Sequence, residues 1–360
     1  MAKFDVVFEG GGAKGSAFAG ALIALQGAGH TARRLIGTSA GAITATLAAV
    51  GYTPQEMLNA VNEKLNGKPR FASFMDRPAP ADFTPAQREA SDTMHALKAV
   101  HIPAIAGNVV LRALMDTPLY PTLFSIVECG GIYAGVAFFN WLVEKLGAKG
   151  IGPGATLAST FAQTHVDLSL VASDTSEMEM LVLNHRTAPD LPIAWAVRMS
   201  MSIPMVWREV IWDASWGTYI GRPKAGNAIV DGGVLSNFPI RLIAESVPDI
   251  MGDTDPNGAL NLGMLLDETL PVPGVATKPL DPTSELRVVR RLTRLVDTMM
   301  GAQDNQEMRE HASEICRLPV QGYGTTEFDM PDAKLQALVA AGKAALEAHL
   351  GGRNLAQMAA

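Results

Sequence analysis

The chain has 360 residues, 48% hydrophobic and 18% charged, the balance of a folded globular protein and long enough for one large domain or two ordinary ones. Its formal net charge of −7 argues against a nucleic-acid partner, because phosphate backbones are bound by basic surfaces. Two cysteines, Cys129 and Cys316, are too few for a disulfide scaffold and lack metal-ligand spacing, and no apolar signal region opens the chain. A cytoplasmic protein in a reducing compartment is expected, with export by a route lacking a signal peptide left open.

In chain order, residues 4–8 form a short β-rich apolar run that breaks into Gly10-Gly11-Gly12, and small or helix-forming residues follow from 13 to 26. The pattern repeats: residues 34–36 read as a strand, 37–41 as a tight turn, and 42–50 as a helix stopped by Gly51. Two strand-turn-helix units in succession predict an α/β sheet with helices on its faces. Seven prolines then punctuate residues 66–128, which predicts loops and short helices inserted beside the core. Within this insert, 102–111 and 119–127 are apolar, in keeping with a lid, a membrane-contact surface or ordinary core helices. The uncharged run 129–143 is short for a bilayer span and reads as a buried helix. Strands are expected at 166–172, 180–183, 228–230 and 260–266, with a helix over 193–202 stopped by Pro204. Helices over 283–314 and 332–350 close the chain; Arg287, Arg290, Arg291 and Arg294 share one face of the first.

Three motifs carry chemistry. Gly37-Thr38-Ser39-Ala40-Gly41, between a strand and a helix, has the pattern of a nucleophile elbow, in which a strained turn holds a serine hydroxyl at a helix N-terminus. Gly10-Gly11-Gly12-Ala13-Lys14-Gly15 fits a dinucleotide turn, and Arg33 and Arg34 stand about twenty residues on, where a 2′-phosphate would be met. The same glycines also leave successive backbone N–H groups free to converge on one oxygen. Lys14 reads as a solvated or salt-bridged surface lysine. Asp231-Gly232-Gly233 sets a carboxylate at the C-terminal end of a buried strand, as a catalytic base or as the aspartate of a common turn. None of the seven histidines (His30, His95, His101, His165, His185, His311 and His349) has a comparable setting. One nucleophile, one base and one set of oxyanion donors are what serine hydrolysis requires.

In this order the glycine turn, the G-T-S-A-G elbow and the D-G-G strand end resemble the patatin-like phospholipase family. The resemblance extends to Val171-Ala172-Ser173-Asp174 and to the stretch from Ala196 to Pro204, and covers roughly residues 4–245. It implies a three-layer α/β/α fold with a central mostly parallel sheet. The catalytic domain would span 1–325, with 66–128 as a variable insert and 326–360 as a C-terminal helical segment. It implies a Ser39–Asp231 dyad, an oxyanion hole from the N–H groups of Gly11, Gly12 and Ala13, and the motif glycines Gly10, Gly15, Gly37, Gly41, Gly232 and Gly233. Gly233 stands where many members have alanine. No metal and no cofactor are implied. The implied activity is a phospholipase A or lysophospholipase type of hydrolysis of membrane phospholipids or other acyl lipids, through an acyl-Ser39 intermediate. Peripheral membrane contact is implied too, with a homo-oligomer or a protein activator as further expected partners. A carboxylate base is expected to keep activity from mildly acidic pH upward, without the loss near pH 6 to 7 of a histidine (pKa about 6.5). Two other readings stand beside it: a non-catalytic lipid-binding module of the same fold, and an NADP-dependent oxidoreductase using the Gly10–Gly15 turn.

Overall fold

In the computed structural model, which describes residues 1–99, 104–117, 120–245, 247–252, 258–275, 298, 309–325 and 327–352, the alternation of apolar side chains along each strand builds two cores at once. Phe4, Val6 and Phe8 of β1 (Lys3–Phe8) face one core, while Val7 faces the other. Leu35 and Ile36 of β2 (Thr31–Thr38) divide in the same way, as do Leu170 and Val171 of β3 (Asp167–Asp174). A sheet buried on both faces requires this pattern. The other strands of this sheet are β4 (Glu179–Leu183), β5 (Val210–Ile211), β6 (Ala228–Asp231), β7 (Leu260–Pro271) and β8 (Ile315–Gln321). Their order is β8-β7-β1-β2-β3-β6-β5, with β4 also paired to β3. The first four pairings along this order are parallel; β3–β4, β3–β6 and β6–β5 are antiparallel.

One face of the sheet is covered by helices including α1 (Ser16–Gly27), α2 (Ala40–Ala49) and α3 (Pro54–Val61). The other is covered by a thinner layer in which Phe238, Ile240, Leu242 and Met251 pack on Val7, Ile36 and Val171. These are the three layers expected. The insert is made of loops and short helices, as its prolines predict. α4 (Asp92–Ala99), α5 (Ala104–Met115) and α6 (Tyr120–Cys129) enclose a small core of their own, with Phe83, Met94, Leu111, Met115 and Phe124 buried together. It is tied to the main body by Arg208, whose guanidinium lies 4.6 Å over the Phe83 ring and donates to Ser125 Oγ at 2.9 Å.

Three points differ from expectation. The run 129–143 is not one helix: positive-φ glycines at 130 and 135 split it into a short strand, Gly131–Tyr133, and α7 (Val136–Ala148). The helix over 193–202 is shorter, α8 (Ile193–Ser200). Strand β8 was not predicted; Arg317 and Pro319 interrupt its apolar run, and an edge strand tolerates both. The C-terminal segment is helical, as expected, and packs on the main core. In α9 (Asp332–Gly352), Leu335, Leu338, Ala341, Leu346 and Leu350 share the core of β1. The predicted helix over 283–314 lies mostly outside the described residues, its arginine face entirely so.

α9 reaches α1 through two glycines. A Cβ on Gly20 would lie 1.9 Å from the Val339 carbonyl oxygen, and one on Gly342 would lie 2.2 Å from that of Ala17. Gly20→Val should therefore destabilise the protein by at least about 1–3 kcal/mol. Thermal unfolding would show a melting temperature lower by several degrees; an unchanged transition would mean that this helix pair does not hold its spacing.

Candidate active site

Strand register brings the elbow and the D-G-G motif together. The last residue of β2, Thr38, pairs with Val171 of β3, and the last residue of β6, Asp231, pairs with Ala172, the next residue along. The other edge of β3 is occupied by β4 from Leu170 to Asp174. β2 and β6 therefore share one edge of β3 and meet end to end, which sets Ser39 beside Asp231. Gly232 stands at the junction: a Cβ there would lie 2.3 Å from the Val171 carbonyl oxygen and 3.0 Å from Thr38 Cγ2.

Ser39 has φ +53° and ψ −118°, a left-handed conformation of the kind that costs roughly 1–3 kcal/mol in a residue with a side chain. Its neighbours enforce the turn. A Cβ on Gly37 would lie 2.2 Å from the Gly41 carbonyl oxygen, and one on Gly41 would lie 2.2 Å from that of Phe8. The Ser39 N–H donates to Ser200 Oγ at 3.0 Å, and that hydroxyl donates to the Val171 carbonyl at 2.6 Å. Just beyond it, the Ser202 carbonyl accepts the Asp231 N–H at 2.9 Å. The end of α8 thus holds the backbone of both candidate catalytic residues. Ser202 Oγ is gripped by Arg198, whose guanidinium also donates to the carbonyls of Ala134 at 3.1 Å and Arg208 at 3.0 Å. Burial lowers the Arg198 pKa to about 10, which leaves it charged at neutral pH. The sequence alone assigns no task to Ser200, Ser202 or Arg198. Two serines two apart at a buried helix end were the available signal.

Asp231 is fully buried. Its Oδ1 accepts the Gly233 N–H at 2.8 Å, as in an ordinary aspartate turn, whereas Oδ2 is buried with no hydrogen-bond partner. Burial pushes the carboxyl up to about 7, against the opposing pull of the Gly233 N–H and the Ser39 hydroxyl. This corrects the expected pH behaviour: a carboxylate here loses its charge where a histidine gains one.

The glycine turn lies against the same site. Gly10 exchanges hydrogen bonds with Asn237, and a Cβ on it would lie 2.2 Å from Asn237 Oδ1 and 3.2 Å from Ser39 Cβ. Gly12 has φ +56°, and its added Cβ would meet the Thr325 carbonyl oxygen at 2.1 Å. That carbonyl accepts the Ala13 N–H at 2.9 Å, so Ala13 is not an open donor, which corrects the three-donor expectation. Among the described residues, the N–H groups of Gly11 and Gly12 have no protein partner. Gly15 abuts Ala40. Lys14 is salt-bridged, one of the two expected readings, to Glu268 of β7, and its own side chain is buried. The Leu266 N–H, also in β7, donates to the buried carboxylate of Glu9.

The arginines of the dinucleotide reading are engaged elsewhere, Arg33 with Asp5 at 2.8 Å and Arg34 with Asp167 at 3.5 Å. His30 accepts the Ala2 N–H, and His185 stacks on Phe161 at 3.7 Å; His101 lies outside the described residues. One acidic group among the described residues, Asp174, Glu177 and Glu179, is close enough to hold an ion. The buried ammonium of Lys224 stands at its centre, 3.0 Å from Asp174 and 2.7 Å from Glu177.

Residues 6–244 match the model of the Patatin family, the patatin-like phospholipases. The chain belongs to the patatin-like phospholipase family. It is a lipid acyl hydrolase, an enzyme of carboxylic ester bonds, and the dinucleotide reading of the glycine turn falls. The chain is 30% identical over 357 residues to the uncharacterized protein YqhO of Bacillus subtilis (strain 168), covering 96% of this chain and 97% of that one. It is 24% identical over 111 residues to the probable lipid hydrolase 463L of Invertebrate iridescent virus 6, covering 31% and 34% of the two chains. Among solved structures, VipD from Legionella pneumophila is similar with a TM-score of 0.46 at 17% identity, covering 97% of this chain and 67% of that one. The type III effector ExoU of Pseudomonas aeruginosa gives 0.44 at 17%, covering 97% and 52%. The family match ends before β7 and β8, yet Leu266, Glu268 and Thr325 are what hold the glycine turn of this patatin-like phospholipase in place.

The buried carboxylate has a consequence for stability. Its pKa is about 7 in the folded protein and near the ordinary aspartate value of about 3.9 when unfolded, so the native state holds the proton more tightly. Wild-type stability therefore falls as pH rises from about 4 to about 7, by at most about 4 kcal/mol. Asp231→Asn removes that loss. Its melting temperature should exceed wild type at pH 8, and the gain should shrink toward zero near pH 4. A variant less stable than wild type at pH 8 would show that the charge is better compensated than its hydrogen bonds indicate.

Proposed function

We propose that Ser39 and Asp231 form a two-residue catalytic centre that cleaves acyl esters of membrane phospholipids or lysophospholipids. The observation that carries this reading is the end-to-end meeting of β2 and β6, with Asp231 Oδ2 left without a partner beside the Ser39 hydroxyl. Asp231 takes the Ser39 proton as the serine oxygen attacks the ester carbonyl. The N–H groups of Gly11 and Gly12 and the N-terminus of α2 stabilise the oxyanion; one lost donor in such a hole typically costs about a hundredfold in rate. The protonated Asp231 then gives its proton to the departing alcohol. A water activated by the same carboxylate releases the fatty acid from Ser39.

Contact with a lipid surface is part of the same proposal. The insert turns apolar side chains outward: Val109 and Val110 on α5, and Leu123 and Val127 on α6, are 38–64% exposed. Among the described residues no helix is long and apolar enough to cross a membrane, so the contact would be peripheral.

Ser39→Ala and Asp231→Asn should each lower kcat for a short-chain nitrophenyl ester at least about a thousandfold while the fold is kept. Alanine or glutamine in place of any one histidine should leave turnover within a few-fold. A folded histidine variant as inactive as Ser39→Ala, with Asp231→Asn still active, would replace the dyad by a triad. The pH profile is the second measurement. Activity should fall tenfold per pH unit below about 7, because protonation removes the base. Full activity at pH 5 would mean that Asp231 is not the titrating base.

A further inference from the structure

The segment from Asp231 to Asn237 touches the base, the elbow and the glycine turn one after another. It opens on the Asp231 carboxylate and winds tightly, the Gly232 carbonyl accepting the N–H groups of Leu235 at 3.0 Å and Ser236 at 2.8 Å. The Ser236 carbonyl then accepts the hydroxyl of Thr38, the residue before Ser39, at 3.2 Å. Asn237 ends the segment at the glycine turn. Its carbonyl accepts the Gly10 N–H at 3.0 Å, and its Nδ2 donates to the Gly10 carbonyl at 3.3 Å and to the Glu9 carboxylate at 3.1 Å. Both ends of the segment are anchored. Asp231 is paired in the sheet, and Phe238, which follows Asn237, is buried against β7, where a Cβ on Gly263 would lie 2.5 Å from its ring.

Resting on the dyad and oxyanion-turn reading above, we propose that Asn237 is a positioning residue for that turn: it fixes Gly10, and through it the N–H groups of Gly11 and Gly12, against the Ser39 oxygen. The packing leaves the turn no room to drift. Gly10 lies between Asn237 and Ser39, and a Cβ on it would lie 2.2 Å from Asn237 Oδ1 and 3.2 Å from Ser39 Cβ. The side-chain chemistry suits the place. Glu9 and the Gly10 carbonyl both accept, and an asparagine amide supplies two N–H hydrogens from one nitrogen. An ionised aspartate of the same shape donates neither and sets a second carboxylate against the buried Glu9. Donors serve an oxyanion only when held within about 0.5 Å of the productive geometry, so a turn released from Asn237 loses transition-state binding before it loses substrate binding.

The test uses Asn237→Ala and Asn237→Asp in the full chain, with a short-chain nitrophenyl ester as substrate. The trifluoromethyl ketone of the same chain serves as a reversible inhibitor, since the attacked ketone leaves an oxyanion at the turn. Each folded variant should lose about a hundredfold in kcat with KM within a few-fold of wild type. The inhibition constant of the ketone should rise by the same factor as kcat/KM falls. Wild-type kcat in either folded variant would overturn the proposal and leave the dyad reading intact. A fall in kcat with unchanged ketone inhibition would place the damage at the serine or the base, and would overturn it too. Absence of Ser39-dependent turnover in the wild-type protein would end the dyad reading, and this one with it. A further measurement needs no variant: hydrogen exchange of the wild-type protein with and without the ketone. The ketone should slow exchange at residues 10–13 and 235–237 together; protection confined to the glycine turn would show that Asn237 does not hold it.

Discussion

The carboxylate of Asp231 is buried without a counter-ion, and most of the surrounding architecture answers to that fact. Removing a charge from water is costly unless it is paired or hydrogen-bonded. Here the compensation comes from one backbone N–H, that of Gly233, and from the Ser39 hydroxyl. Such weak compensation is stable only if the rest of the fold fixes the carboxylate where it is. The Ser202 carbonyl holds its N–H, the β3 register holds its strand, and Gly232 admits the close approach of Val171 and Thr38.

Ser39 is held by the same means. Its strained backbone is tied through Ser200 to Val171, the residue opposite Thr38 in the sheet. The end of α8 therefore reaches both members of the pair by hydrogen bonds to main chain, and Arg198 locks that end from within the core. The glycine turn is supported from elsewhere, by Leu266 and Glu268 on β7 and Thr325 after β8. Two independent supports, one from mid-chain and one from the C-terminal third, converge on one sheet edge. This is the edge where parallel strands end and where α/β folds collect their sites.

The motifs at the site were readable because each is a local steric demand. Gly37 and Gly41 flank a turn that leaves no room for a Cβ, and Gly10, Gly12 and Gly232 each stand against another backbone or side chain. Such demands show in the sequence as glycines at fixed spacing. The strand alternation of Val6 against Val7 and Leu35 against Ile36 was equally legible as an apolar run, although a run alone does not say which side chain faces which core. What could not be read was set by distant pairing. β8 carries a proline and an arginine that only an edge position tolerates, and the Thr325 carbonyl that takes the Ala13 N–H arrives from the far end of the chain. The pKa of Asp231 was illegible for the same reason, since it depends on burial by residues from β3, α8 and the elbow. The loops and short helices of the insert were legible because prolines mark local breaks and helix starts: Pro85 begins a helix behind a Thr84 cap.

These constraints suggest why an aspartate would serve where serine hydrolases more often use a histidine. A histidine base needs a third group to fix its tautomer and orientation. On the proposed reading the main chain does this for Asp231, through Gly233 and Ser202, and burial supplies the basicity by raising the pKa to about 7. The proposed proton transfer would also move negative charge in a favourable direction. On that reading, the charge would lie before attack on a carboxylate held by few donors, and after attack on the substrate oxygen, beside the N–H groups of Gly11 and Gly12 that have no protein partner among the described residues. A site with few donors at its base and several at its oxyanion is complementary to the transition state more than to the ground state, which is the condition for catalysis. The cost is carried by the resting enzyme, as a buried charge and a strained serine backbone, and the two-point support from α8 and from β7 and β8 is what lets the fold bear it.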